Sequence, residues 1–289
     1  VRHSLILASI LLLTPLHAED KVPRADLERV YYDWRSALVN SNLDAWQRAT
    51  SRYRQVVTRN LIISGNQPYP EAIFQIPIQP PEITHLRLLE AEAKGPTAHL
   101  IYFGKVDLGL EADKIPENIL ILKFAKEGET WKFDTTRFMN LEGVPEVRAS
   151  LQNGVADFLD KPEFNVTGVV PPVPELCKKP EYVATLQIQS YGYETGAKLN
   201  GFEYGPIADN AEQQVIIGGL AKGENELRLN IKALPVPDGV ERLLVISAIV
   251  MTGRKDKPGI EVFNWKHKSA EPPAVIKLPV WVNRTTLRE

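Results

Sequence analysis

Between Tyr182 and Val282 the chain alternates apolar and polar residues with a period of two. Leu186 and Ile188 alternate with Gln187 and Gln189; Leu227, Leu229 and Ile231 alternate with Arg228, Asn230 and Lys232. Successive side chains of a strand point to opposite faces, so each such run has one face to bury and one to leave in water. A helix does not satisfy this pattern, because its buried stripe recurs every three or four residues. The runs 182–193, 197–204, 226–233, 241–251, 260–266 and 275–282 are separated by Gly, Pro, Asn or Asp. Leu243 to Val250 is apolar on both faces and reads as a central strand. Residues 182–289 are therefore expected to form an all-β antiparallel sandwich.

The preceding half has a different period. Leu27, Val30, Tyr31, Trp34 and Leu38 lie three or four residues apart, which predicts a helix with one buried stripe. Asn40 to Asp44 ends it and supplies a cap for a second helix. That helix carries Trp46, Ala49, Tyr53 and Val56 or Val57 on one face and Arg48, Arg52 and Arg59 on a solvated one. Runs 83–93, 97–108, 118–126 and 130–138 read as strands, with turns at Lys94-Gly95-Pro96 and Glu127-Gly128-Glu129. A helix over 145–159 follows. This order predicts an α+β domain over 19–160, with helices packed on a bent antiparallel sheet. Proline-rich residues 161–181 are expected to be a linker, with Cys177 in it as a spare thiol or an intermolecular disulfide. A chain of 289 residues suits two domains at roughly 100–200 residues each.

Arg2 and His3, an apolar run from Ser4 to Leu16, and Ala18 have the order of a signal peptide over 1–18. The run falls short of the roughly 20 residues that span a bilayer. The chain is thus expected to be exported, periplasmic or extracellular, and not an integral membrane protein. A net charge of −2 and a pI near 6.3 argue against nucleic acid as partner, since that binding rests on basic surface. One cysteine excludes a disulfide framework within the chain and any multi-cysteine metal site. His85, His99 and His267 do not pair with one another at ligand spacing, and H-E-x-x-H, G-x-S-x-G, P-loop and G-x-G-x-x-G motifs are absent. No catalytic residue, metal or cofactor is expected.

Four features of the first domain carry a resemblance: the helix around Trp34, Asn42-Leu-Asp-Ala-Trp46, Thr97-Ala-His-Leu-Ile-Tyr102, and the hairpin from Ile119 to Asp134. Over about residues 25–142 the chain resembles the nuclear-transport-factor-like and SnoaL-like families with their cystatin-like cone. The resemblance implies a conical pocket, used by some members for isomerase or hydratase chemistry or for carrying ligands, and a homodimer through the sheet. Tyr53, Tyr102 and Arg137 are the candidate ligand contacts of such a cone. If Trp131 and Phe133 point into it, alternation brings Arg137 to the pocket and turns Asp134 away, leaving no base.

Ala197-Lys-Leu-Asn-Gly201 and the run from Leu220 to Leu227 make residues 182–283 similar to jelly-roll or galactose-binding-like sandwiches, some of which bind sugars. Tyr191 and Tyr193, two residues apart, are the candidate sugar-stacking pair. The function expected is that of an exported, non-catalytic interaction or scaffold protein of the cell envelope that contacts a protein or a glycan. The alternatives are a carrier of a small apolar ligand in the cone and an isomerase-like or hydratase-like enzyme built on it.

Overall fold

The computed structural model describes residues 24–75, 78–109, 115–162 and 164–287. The expected signal peptide over 1–18 lies outside the described residues. The chain divides into two compact units, and the division is not linear. Residues 24–33 join Pro80–Val170 in the first, while Trp34–Gln79 joins Pro171–Glu289 in the second.

The first unit is built on a four-stranded antiparallel sheet in the order β1 (Arg87–Lys94), β2 (Thr97–Lys105), β3 (Glu117–Glu127), β4 (Thr130–Asn140). The turns at Gly95 and Gly128 have positive φ, which glycine adopts without steric cost. One face buries Ile101, Phe103, Ile119 and Ile121 against Leu141, Leu151, Leu159 and Phe164, bringing in α4 (Pro145–Gln152) and the 3-10 turn Asp157–Asp160. On the other face Phe133 meets Phe124 edge-on at 5.8 Å, and the Tyr31 ring of α1 (Arg24–Val39) lies 5.6 Å from Phe133.

After the end of α1, the second unit contains α2 (Leu43–Ala49) and α3 (Arg52–Ser64), where a single helix was expected. Ser51 breaks it. Its backbone is extended, and its hydroxyl accepts the Arg54 N–H at 3.1 Å, so the side chain starts a new helix instead of continuing the old one. Asn42 caps α2 in the same way through the Ala45 N–H.

Beyond residue 171 lie β5 (Ala184–Leu199), β6 (Phe202–Val215), β7 (Gly223–Ala233), β8 (Leu243–Met251), β9 (Gly259–His267) and β10 (Val275–Val282). They form one continuous six-stranded antiparallel sheet in the order β10-β7-β5-β8-β9, with β6 also on β5. The first part of β5 pairs with β8 and its second part with β7, while β6 follows it on either side of a kink at 191–193. At that kink β5 advances four residues, from Ser190 to Glu194, while β6 advances two. The extra residues bend the sheet, and its two halves close on one core that includes Leu186, Ile188, Leu229, Ile246 and Val280. The short helix α5 (Arg284–Leu287) lies against both β9 and β10. β5 turns into β6 at Asn200-Gly201, both with positive φ, as the Asn-Gly signal indicates.

This architecture overturns the expected fold class, an α+β cone of helices packed on a bent antiparallel sheet followed by a separate all-β sandwich. Among the described residues, antiparallel strand outweighs helix (43 % against 22 %), and no helices pack on a sheet cone. The physical reason lies in α3. Its buried positions include Asn60 and Ser64, polar groups that belong with the backbone they bond in the second unit rather than with an apolar sheet. The second part of the chain is β-rich and compatible with a sandwich, but its strands form one sheet folded on itself.

Candidate functional site

The candidate site is a groove in the second unit, built from α3 outward. Asn60 sits on a buried helix face yet carries two donors and one acceptor group, so it needs partners. It finds them on the extended segment after Pro171. Its Nδ2 donates to the Glu175 carbonyl at 2.7 Å, and its Oδ1 accepts the Cys177 N–H at 3.0 Å. One amide side chain therefore satisfies two backbone groups, as a neighbouring strand would. Arg59 adds a bond from Nη1 to the Cys177 carbonyl at 3.2 Å. Ser64, one turn on, donates to the Asn60 carbonyl and accepts the Gly218 N–H at 2.8 Å. Cys177 is buried with its sulfur 3.7 Å from Ser64 Oγ. It is thus a core residue, neither a spare linker thiol nor placed for an intermolecular disulfide.

With Glu175 pinned to α3, the preceding Pro171-Pro172-Val173-Pro174 forms one wall of the groove. Tyr53, Val57 and Leu61 of α3 form a second, and the β5–β6 hairpin, through Phe202, Tyr204 and Gln214, forms a third. The volume of this open groove is about 820 Å³. Tyr53 carries the Arg54 guanidinium 5.9 Å from its ring centroid. Tyr204 is buried and accepts the Ile217 N–H at 2.7 Å. Burial pushes its hydroxyl up to about 12, against the opposing effect of that hydrogen bond. The folded state thus holds this proton more tightly than the unfolded one. The associated stability is complete below pH 10 and is lost as the pH rises from 10 toward 12. Alkaline unfolding followed by circular dichroism should begin in that window, and Tyr204→Phe should move it upward.

The lining contains no histidine, cysteine, serine or lysine among the described residues. Its only charged groups are Glu175 and Glu203; both are exposed, and Glu203 is 3.6 Å from Lys198.

No family model, curated protein or solved structure matches this chain.

The expected site residues scatter. Tyr53 lines the groove, whereas Tyr102 and Arg137 belong to the first unit. Tyr102 is fully buried and donates to Glu28 Oε1 at 2.6 Å, the same oxygen that accepts from Arg24. Burial, and then the Glu28 carboxylate, push its hydroxyl far above the usual range, so it acts as a fixed donor in a structural bond. Arg137 is exposed. It does not share a face with Phe133, because β4 has an extra residue at Asp134: Thr135 pairs with Lys123 while Phe133 pairs with Phe124. That bulge reverses the alternation on which the Arg137 assignment rested.

The same failure separates Tyr191 from Tyr193. The kink at Gly192 leaves Tyr191 42 % exposed and buries Tyr193 completely, with its hydroxyl donating to the Ser269 carbonyl at 2.7 Å. The two rings therefore do not share an exposed face. One cluster escaped the motif scan altogether: Glu90, Glu92 and His99 converge on the first sheet. Its signal was the two-residue turn Gly95-Pro96, which places residue 92 opposite 99.

Proposed function

We propose that this chain is an exported, non-catalytic binding protein that holds an extended segment of a partner protein in the groove between α3, Pro171–Glu175 and the β5–β6 hairpin. The observation that carries this reading is the lining itself: apolar and proline walls dotted with amides, with carboxylates the only charges among the described lining residues. Such walls bury apolar side chains, while Asn200 and Gln214 offer hydrogen bonds to a peptide backbone. β6 pairs only with β5 among the described strands, so its outer edge adds backbone donors and acceptors beside the groove. The carboxylate rim selects a segment that mixes apolar with basic residues. Export is supported by the short apolar run before Ala18.

The test is selection from a random-peptide display library on the whole chain, followed by titration of the enriched peptides. Leu61→Arg is the informative variant, because Leu61 is 44 % exposed and its replacement adds a cation to the groove without opening a core. Apolar-basic peptides should dominate, and the variant should bind them at least about tenfold more weakly with an unchanged unfolding midpoint. Equal binding by the variant would remove the groove from the reading. Oligosaccharides that bind in a Tyr53-dependent way, with no peptide enriched, would replace the protein partner by a glycan.

A further inference from the structure

The two-residue turn Gly95-Pro96 sets Glu92 directly opposite His99 on β2. Glu90 lies two residues from Glu92 and projects to the same face, opposite Ile101. The His99 side chain is 3 % exposed, and its Nε2 stands 2.5 Å from Glu90 Oε1 and 3.8 Å from Glu92 Oε2. Nitrogen and both carboxylate oxygens lie within 4.8 Å of one another. The glutamate side chains are 33 % and 45 % exposed, so the cluster is rooted in the sheet at the imidazole and open to solvent at the carboxylates.

A hydrogen bond between His99 and Glu90 accounts for two members of this set. It does not account for Glu92, which lies too far from the ring nitrogen to bond it. We propose that Glu90, Glu92 and His99 bind a divalent transition-metal ion of the zinc or manganese type. Two carboxylates balance its charge, and the imidazole nitrogen selects it over the hard ions calcium and magnesium, which prefer an all-oxygen shell. Metal–ligand bonds of about 2.0–2.2 Å put ligand atoms about 3–3.5 Å apart, so Glu90 backs off slightly and Glu92 closes in. The ion takes the place of the proton shared by His99 and Glu90, and solvent completes the shell on the open side. Lys123 is the opposing neighbour, paired with His99 from β3. The imidazole nitrogen that bonds Glu90 faces β1, across the ring from that lysine's strand.

The experiment is calorimetric titration of the metal-free chain with Zn²⁺, Mn²⁺ and Ca²⁺ in separate runs, repeated with Glu92→Gln and His99→Gln. Glu92 makes no hydrogen bond to the ring, so Glu92→Gln should leave the metal-free unfolding midpoint where it is. It should weaken Zn²⁺ or Mn²⁺ binding by at least about tenfold. His99→Gln should abolish binding at this site. One saturable transition-metal ion per chain that depends on both residues, with Ca²⁺ much weaker, is the expected result. No saturable binding, binding indifferent to both substitutions, or equal affinity for Ca²⁺ each overturns the proposal. Cobalt(II) absorption gives a second readout, because nitrogen ligation by His99 shifts the visible bands and the His99→Gln variant loses that shift.

Discussion

Asn60→Leu should destabilise the second unit by about 3 kcal/mol, although it replaces a polar side chain by an apolar one of similar size. The change removes the donor to the Glu175 carbonyl and the acceptor of the Cys177 N–H together. Each backbone group left unsatisfied in a buried place costs about 1–3 kcal/mol, and leucine offers neither any replacement. The gain from burying two methyls in place of the amide is smaller and is partly spent on steric adjustment around a side chain that is 2 % exposed. The readout is built into the chain, because Cys177 is its only cysteine and is buried. Its labelling by a thiol reagent under native conditions follows the local opening of 175–177 away from α3. A loss of about 3 kcal/mol raises that opening about a hundredfold, alongside a lower urea midpoint. Unchanged labelling and midpoint would mean that water replaces the amide without cost and that the proline wall of the groove is held by other contacts.

What was legible in the sequence was local. The runs 118–126, 260–266 and 275–282 match β3, β9 and β10 to within one residue at each end, and Gly95, Gly128 and Asn200-Gly201 marked the turns that join neighbouring strands. An amphipathic stripe, however, states that a face is buried and not what buries it. Trp46 and Val56 are buried as their spacing requires, yet α2 and α3 belong to the second unit. The deciding residues were Asn60 and Ser64, which continue the buried stripe of α3 at helical spacing but are polar, so a pattern of apolar residues does not register them. Face assignments failed at Asp134, where one extra residue inverts every later position on β4, and at Gly192, whose positive φ moves the buried positions of β5 from even to odd numbers. Arg137 and the Tyr191–Tyr193 pair were both lost that way. The Glu90–Glu92–His99 cluster was accessible in principle, since a two-residue turn fixes register, but a search for motifs along the chain does not look across a hairpin.

Gly219→Ala should cost more than about 4 kcal/mol and leave little folded protein. Gly219 has φ of +65°, but the conformation is the smaller part of the effect. A Cβ there would stand 2.3 Å from Pro180 Cβ and 2.3 Å from the Tyr182 carbonyl oxygen. These neighbours cannot swing aside. The Tyr182 oxygen is held at 3.0 Å by the Leu220 N–H, in a two-bond bridge returned by the Tyr182 N–H to the Leu220 carbonyl. Making room for the methyl therefore means breaking the bridge beside fully buried Leu220. Gly239→Ala separates the two causes, because Gly239 has φ of +81° and nothing within 4 Å of an added Cβ. That control should lose only the backbone term, about 1–2 kcal/mol. Adding Pro180→Gly to Gly219→Ala should not rescue folding, since it removes one clashing atom and leaves the carbonyl. Thermal unfolding of the three variants ranks the two causes. If Gly219→Ala melts with the Gly239→Ala control, the chain crossing at Tyr182 is loose enough to absorb a methyl. If Pro180→Gly restores stability, the clash lies with the proline alone.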